Sequence, residues 1–268
     1  GNCAVLVAPP GAGKTTRVPL VLMQEAWAGA GKIVVLEPRR LAARAAADRM
    51  SAMTGGKTGG LIGIWARLES RVGPDTRIEV ITEGVFARMI LDDPSLEGVA
   101  AVIFDEYHER SLDADLGLAL ALDAQAGLRE DLRILVMSAT LDGARAGRLL
   151  NNAPVLESEG RAWPVETRYR PRAARVPVED EIIRVVLEAL REETGSLLVF
   201  LPGQREITRV AEKLRERKLD AAVDVAPLYG AMDRAAQDLA VSPAQKGRRK
   251  IVLATSIAET SLTIEGVR

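Results

Sequence analysis

Short apolar runs alternate with longer amphipathic stretches along this chain, and that alternation limits the folds open to it. In the first half, five runs have the length and apolar character of buried strands: 3–8, 32–37, 77–82, 100–105 and 133–138. Helical patterns lie between or after them, at 17–28, 41–53, 84–91, 112–126 and 142–150. Strands that are apolar throughout are typical of a parallel sheet covered by helices on both faces. We therefore expect an α/β fold that binds its ligands at the carboxyl ends of the strands.

The alternation resumes after a break in composition. Residues 161–177 contain five arginines, three prolines and a single acid, Glu166, so a regular helix is excluded there. Beyond the break we predict helices at 179–192, 204–218 and 234–240, and strands at 196–201, 223–228 and 250–254. The sequence thus predicts a first domain at 1–160, a connection at 161–177 and a second domain at 178–268. Because so few strands leave a sheet edge exposed, we expect the second domain to be truncated at its C-terminal end.

A glycine-containing turn joins the first predicted strand to the first helix. Glycines in the turn let successive N–H groups point inward, the helix N-terminus adds positive partial charge, and a lysine supplies a full cation. A hydroxyl directly after the lysine suits Mg²⁺. Ala8 stands where the usual phosphate-loop pattern begins with glycine, and a plain turn before a helix is the alternative. The predicted nucleotide-binding residues are Pro10, Gly11, Ala12, Gly13, Lys14, Thr15 and Thr16.

A second group of polar residues follows the strand predicted at 100–105. Asp105 and Glu106 end that strand, which brings two carboxylates to the ligand end of the sheet, beside the phosphate loop if the two strands are neighbours. Asp105 is suited to hold Mg²⁺, with Glu106 close to the ion and able to deprotonate an attacking water. Acids at a helix N-terminus are the structural alternative. His108, the chain's one histidine, is either a relay near the nucleotide or an ordinary loop residue.

Composition excludes several classes of protein. The chain has 47% hydrophobic and 27% charged residues, which is ordinary for a soluble globular protein. It contains no apolar run long enough to span a membrane and no signal peptide, and its single cysteine suits a reducing compartment, so we expect a cytoplasmic protein. The net charge of −1 argues against an overall electrostatic grip on nucleic acid, and the scarcity of aromatic residues disfavours a base-stacking platform. Nucleic acid, if bound, is expected to be held through its backbone.

An ordered series of motifs resembles that of the DEAH-box superfamily 2 helicases. The series spans nearly the whole chain, and the order of its seven members is more specific than any one of them. They are Gly11-Ala12-Gly13-Lys14-Thr15, Glu37-Pro38-Arg39-Arg40-Leu41-Ala42-Ala43, Thr82-Glu83-Gly84, Asp105-Glu106-Tyr107-His108, Ser138-Ala139-Thr140, Phe200-Leu201-Pro202-Gly203 and the run from Ala254 to Ile264.

The resemblance implies two RecA-like domains of the P-loop NTPase type that hydrolyse ATP with Mg²⁺ and move along a single strand of nucleic acid, RNA being expected. It implies that Lys14, Asp105, Glu106 and His108 are catalytic and that Thr15, Asp105 and Glu106 serve the metal. Arg39, Arg40, Thr82 and Thr255 are expected to contact the phosphodiester backbone. Ser138 and Thr140 are expected to couple hydrolysis to strand movement, although this stretch could also be a simple helix cap. Arg49 is expected on the adenine ring and Glu265 at the ribose.

Some positions depart from the family pattern. Val241 stands where relatives often stack an aromatic residue on adenine, and Glu265 replaces the usual aspartate. The family's last motif, which carries two arginines for the γ-phosphate, is expected beyond Arg268. Since such arginines contribute about 10³–10⁵ in rate to related phosphoryl transfers, we expect these residues alone to bind nucleotide and hydrolyse it slowly.

Two other classes of function remain open at this point. A P-loop kinase or small-molecule NTPase would share the phosphate loop and the acids but would show no stimulation by nucleic acid. A non-catalytic nucleic-acid-binding module would use the arginines of 161–175 and the basic cluster at 246–250, and would have no use for Lys14 beside Asp105.

Overall fold

The chain forms two compact units in the computed structural model, Gly1–Trp163 and Pro164–Arg268. The structure describes residues 1–140, 147–159, 165–171, 175–217, 219–258, 264 and 266–267. Within these residues, no helix is both long and apolar enough to cross a membrane. Each unit has a sheet and a hydrophobic core of its own.

The first unit is built on an eight-stranded sheet in the order β4-β3-β5-β2-β6-β7-β1-β8. Every neighbouring pair is parallel except β3 and β4, which form an antiparallel hairpin. The strands are β1 (Cys3–Val7), β2 (Lys32–Glu37), β3 (Ile62–Ala66), β4 (Glu69–Arg71), β5 (Ile78–Thr82), β6 (Val99–Phe104), β7 (Arg133–Ser138) and β8 (Val155–Glu157). The predicted parallel sheet is confirmed.

Helices cover both faces of this sheet because its central strands are apolar on both sides. Val34 and Leu36 of β2 join the core cluster under α3 and α4, whereas Ile33 and Val35 join the one under α1 and α2. The helices are α1 (Lys14–Leu22), α2 (Arg40–Met53), α3 (Glu83–Asp92) and α4 (Leu112–Gly127). Side chains thus alternate between two cores along one strand, as the period of two requires.

Some element bounds differ from the prediction. The first helix starts at Lys14 and ends at Leu22, and a single 3₁₀ turn follows at Ala26–Ala28, where one helix over 17–28 was expected. Sequence patterning missed β3, β4 and β8, because β4 and β8 have three residues each and Gly63 interrupts the apolar run of β3. Residues 142–146 of the helix predicted at 142–150 lie outside the described residues.

The second unit repeats the α/β pattern on a smaller scale. Its sheet has the order β10-β11-β9, with both pairs parallel. The elements are α5 (Val178–Glu192), β9 (Leu197–Phe200), α6 (Gln204–Glu216), β10 (Val223–Leu228), α7 (Arg234–Val241) and β11 (Arg249–Ala254). Ile207, Val210 and Leu214 of α6 are completely buried and pack with Ile251 and Leu253 of β11 in the core of this unit. The predicted strands and helices of this half are therefore confirmed.

The arginines near the break between the units have acidic partners that local sequence did not reveal. Arg168 pairs with Glu193 of the segment after α5 as well as with Glu166, and Arg170 pairs with Glu188. Residues 165–171 are exposed and have no regular secondary structure. Acids at the C-terminal end of α5 balance most of their positive charge, so these residues offer little support for a basic surface that binds nucleic acid.

Candidate active site

The loop between β1 and α1 has the backbone conformation that a phosphate cradle needs. Gly11 and Gly13 have φ of +79° and +80°, in the left-handed region that favours glycine. Gly13 is also the N-cap of α1, and the first N–H groups of a helix lack intrahelical partners. Pro10, Gly11 and Ala12 are exposed, so the loop is open to a ligand. A phosphate placed here would accept hydrogen bonds from the first N–H groups of α1 and would lie at the positive end of the helix dipole.

Lys14 and Thr15, at the start of α1, contact the two acids that follow β6. Lys14 Nζ lies 3.1 Å from Glu106 Oε1, and both side chains are more than nine-tenths buried. The Thr15 hydroxyl donates a hydrogen bond to Asp105 Oδ2. The two motifs, ninety residues apart in sequence, therefore form one cluster at the carboxyl ends of the strands.

The two strands that carry these motifs are not neighbours, contrary to the simplest arrangement. β7 lies between β1 and β6 in the sheet. Ala8 N donates to Ser138 O at 3.0 Å, so the loop leaves β1 while still bound to the end of β7. The phosphate loop then brings Lys14 and Thr15 past the end of the intervening strand to the acids of β6.

A third buried acid, Glu37 at the end of β2, lies beside this pair. Its side chain is inaccessible, and neither carboxylate oxygen has a hydrogen-bond donor among the described residues. Burial raises the pKa of Glu37 well above its usual range, and the charges of Asp105 and Glu106 raise it further. Burial and the neighbouring charge of Glu106 also raise the pKa of Asp105, to about 6. Glu37 follows the apolar run 33–36 at the ligand edge of the sheet, and this signal could have identified it from sequence.

Glu106 has a backbone conformation that is rare for a residue with a side chain. Its φ and ψ are 49° and 33°, in the left-handed helical region. Its N–H donates to Asp105 Oδ1 at 2.7 Å, which ties the two acids together. Strained residues of this kind cluster at functional sites, where the surrounding structure holds them.

His108 lies between the acids and the segment that follows β7. Its Nδ1 is 3.3 Å from Glu106 Oε2 and 3.2 Å from the N–H of Ala139. A neutral imidazole with an unprotonated Nδ1 accepts from Ala139, whereas a protonated Nδ1 donates to Glu106, so only one of these hydrogen bonds forms at a time. The ring thus connects the acid to the Ser138-Ala139-Thr140 segment.

Tyr107, directly after the two acids, is buried and contacts α4 and the end of β6. Its hydroxyl donates to Asp115 Oδ1 at 2.8 Å, and its ring meets Phe104 edge-on. Burial and the Asp115 carboxylate raise the pKa of Tyr107 to about 12. Tyr107 therefore attaches this turn to α4.

The residues predicted to contact nucleic acid lie at the ends of strands. Arg39 is the N-cap of α2 and Arg40 is its first residue, just after β2. Arg40 is exposed, and Arg39 Nη2 is 3.2 Å from Glu109 Oε2. Thr82 ends β5 and is partly exposed. In the second unit, Thr255 follows β11, and its N–H donates to Leu228 O at 3.2 Å.

The remaining predicted residues are less closely tied to the cluster. Ser138 is buried, and its hydroxyl lies 3.3 Å from both the N and the O of Thr140, which is itself exposed. Arg49 lies on the exposed side of α2, where it has no ion pair within the described part of the chain. Glu265 lies outside the described residues.

Two family models match the chain. The model described as DEAD/DEAH box helicase matches residues 1–148, and the model described as helicase conserved C-terminal domain matches residues 179–268. The chain belongs to the DEAD/DEAH box helicase family. The resemblance seen in its motifs is confirmed.

Named relatives agree with this assignment. The chain is 54% identical to the ATP-dependent RNA helicase HrpB of Escherichia coli over its whole length, and it spans 33% of that protein. It is 35% identical to the probable ATP-dependent RNA helicase DHR2 of Saccharomyces cerevisiae, covering 98% of this chain and 37% of the yeast protein. A crystal structure of the E. coli DEAH/RHA helicase HrpB matches all of the chain with a TM-score of 0.91 at 53% identity, over 34% of its own length. The chain thus spans about a third of these relatives.

Proposed function

We propose that this chain is the part of an ATP-dependent RNA helicase that binds and hydrolyses ATP and grips single-stranded RNA. The observation that carries the proposal is the contact of Lys14 and Thr15 with Glu106 and Asp105. A phosphate loop, a metal-type acid and a candidate general base occur together, as phosphoryl transfer requires. The names of the relatives support RNA as the partner.

The residues of the cluster fit Mg²⁺ and a triphosphate. A hydroxyl and a carboxylate are hard oxygen donors, and those of Thr15 and Asp105 already touch. These two residues would hold the ion, with Glu106 near it, and the ion would neutralise charge on the phosphates. Lys14 is paired with Glu106. A triphosphate would attract Lys14 and leave the Glu106 carboxylate available to accept a proton from water.

RNA would be held through its phosphates. Arg39, Arg40 and Thr82 of the first unit and Thr255 of the second are the proposed contacts. Contacts to phosphate carry no base information, so binding is expected to depend little on sequence and strongly on salt.

ATPase assays of the intact protein with and without poly(U) test this proposal. We expect poly(U) to stimulate the rate, and Lys14→Ala to abolish most turnover because the phosphates lose their cation. Lys57→Ala is the matched control, since Lys57 is an exposed lysine of the same unit. Full activity of Lys14→Ala would contradict the nucleotide-site assignment. An ATPase rate that does not change when poly(U) is added would favour a small-molecule NTPase instead.

A non-catalytic nucleic-acid-binding module is disfavoured by its own basic residues. Arg248 pairs with Asp224 of β10, Arg249 donates to the carbonyls of Gly195 and Leu190, and Lys250 Nζ donates to two carbonyls near the end of α7. These side chains hold the second unit together, so they are poorly placed to bind phosphate.

A further inference from the structure

The turn that contains His108 is flanked at both ends by residues with unusual backbone conformations. It is a single 3₁₀ turn, Tyr107–Glu109, preceded by Glu106 at φ 49° and followed by Arg110 at φ 51°. Both flanking residues are left-handed and neither is glycine, so neighbouring contacts must hold them in place. Whatever moves Glu109 therefore acts on a short, strained connection to His108 and Glu106.

The first contact on this turn comes from the loop after β2. Arg39 Nη2 lies 3.2 Å from Glu109 Oε2, with 28% and 17% of the two side chains exposed. Such partial shielding makes the pair stronger than a fully exposed one. Arg39 is also the proposed RNA contact, so an RNA phosphate would compete with the Glu109 carboxylate for the same guanidinium.

A second contact comes from the first residue of α3, directly after β5. The Ser111 hydroxyl donates to Glu83 Oε2 at 2.5 Å and accepts from the N–H of Ala114 at 2.9 Å. Glu83 directly follows Thr82, another proposed RNA contact, and Ser111 is the N-cap of α4. The two strand ends proposed to meet RNA in this unit are therefore bonded to one short segment, at Glu109 and at Ser111.

We propose that Glu109 and Ser111 are positioning residues through which RNA contact alters the hydrolytic acids within the first unit. Without RNA, Glu109 holds Arg39 and the turn keeps His108 and Glu106 in their resting arrangement. When a phosphate takes Arg39, the ion pair between Arg39 and Glu109 breaks and the turn can shift. The inference rests on the proposed function, because it needs RNA at Arg39.

Glu109→Gln tests this directly, since glutamine keeps the shape and removes the charge. The intact protein is assayed for ATPase activity over a range of poly(U) concentrations. We expect the half-saturating poly(U) concentration to fall about 3- to 10-fold, because the Glu109 carboxylate no longer competes with RNA phosphate for Arg39. The rate without RNA should rise toward the stimulated rate, so that the stimulation ratio falls. A merely structural role would lower both rates together and would not improve RNA binding.

Three variants complete the design. Glu130→Gln makes the same chemical change at an exposed glutamate outside this network and should behave as wild type. Glu109→Asp restores the carboxylate and should recover most of the stimulation ratio. Ser111→Gly removes the donor to Glu83 while glycine remains an acceptable N-cap for α4, so it should lower the stimulation ratio with little change in thermal midpoint.

The failures of the two proposals can be told apart with Arg39→Gln. If Arg39→Gln weakens poly(U) binding while Glu109→Gln matches Glu130→Gln in both readouts, the coupling role is overturned and the helicase function stands. If Arg39→Gln leaves poly(U) binding unchanged, the RNA contact itself is wrong and the coupling role is overturned with it.

Discussion

At the scale of single residues, Glu106 has two separable properties, a carboxylate that can accept a proton and a shape that fills a buried site. Glu106→Gln keeps the shape and removes the base. We expect ATP binding to persist while hydrolysis falls by about 10²–10⁴, the usual contribution of a general base. Fluorescent-nucleotide titration and steady-state ATPase assays measure the two effects. Loss of nucleotide binding would instead assign Glu106 a structural role.

Glu37 should make the stability of the metal-free protein fall as the pH rises. Its pKa is raised in the folded chain above the ordinary 4.5, so the folded state retains a proton that the unfolded state releases. The free energy of unfolding attributable to this group is therefore largest below pH 4.5 and decreases as the pH increases toward the raised pKa. Glu37→Gln removes this dependence.

Urea denaturation at pH 5 and pH 8 checks that expectation. From pH 5 to pH 8, the free energy of unfolding of Glu37→Gln should increase relative to that of wild type by on the order of 1 kcal/mol or more, because no buried charge has to form. Glu130→Gln, an exposed change, should keep the wild-type pH slope. A Glu37→Gln slope identical to wild type would show that Glu37 does not retain its proton.

At the scale of elements, the β3–β4 hairpin depends on a glycine. A Cβ on Gly63 would lie 2.8 Å from Val72 Cγ1, 2.9 Å from Thr76 Cγ2 and 3.0 Å from Arg71 O. Since backbone is among the close atoms, the strand must shift to admit it. We expect Gly63→Ala to lower the free energy of unfolding by about 1–3 kcal/mol, measured by urea denaturation.

Gly60→Ala is the control for that change. Gly60 is exposed, its φ is not positive, and its added Cβ would meet only Lys57 O at 3.4 Å, an ordinary contact. It should change stability by no more than about 0.5 kcal/mol. Equal effects of the two substitutions would show that the hairpin can adjust without loss.

The sequence predicted elements well where one physical signal dominated. Continuous apolar runs indicated strands such as β2 and β6, and a serine N-cap indicated the start of α4. The hairpin was missed because its strands are short and are stabilised by non-local contacts, such as the Arg44–Glu69 ion pair. Such contacts leave no periodic pattern in the sequence.

At the scale of the molecule, the first unit is expected to fold by itself. It has two hydrophobic clusters of its own and all of the phosphate-loop and acid residues. We expect Gly1–Trp163 expressed alone to unfold cooperatively and to gain thermal stability with Mg²⁺ and ATP by mass action. Differential scanning calorimetry measures both. The Lys14→Ala fragment should lose the nucleotide effect, and an unfolded wild-type fragment would contradict the expectation.

The candidate site was predictable in part for the same physical reasons. Carboxyl ends of parallel strands share one edge, so the alternating pattern predicts that Lys14 and Asp105 lie at the same edge, and close together only if their strands are neighbours. The strands are not neighbours, and the phosphate loop spans the end of β7 instead. The partners of Arg39 and His108 could not be predicted, because Glu109 and Ala139 reach them through turn geometry that no pattern encodes. The roles of Arg49 and Thr255 stay predictions.

The left-handed backbone of Glu106 means that catalytic activity and thermal stability favour different residues at this position. Glycine adopts that conformation without strain, whereas alanine retains the Cβ that opposes it. Of two inactive variants, Glu106→Gly should therefore match or exceed Glu106→Ala in thermal resistance, although glycine ordinarily weakens a fold. Selection for thermal stability alone would replace this glutamate. Its presence in an active enzyme would therefore reflect selection for catalysis.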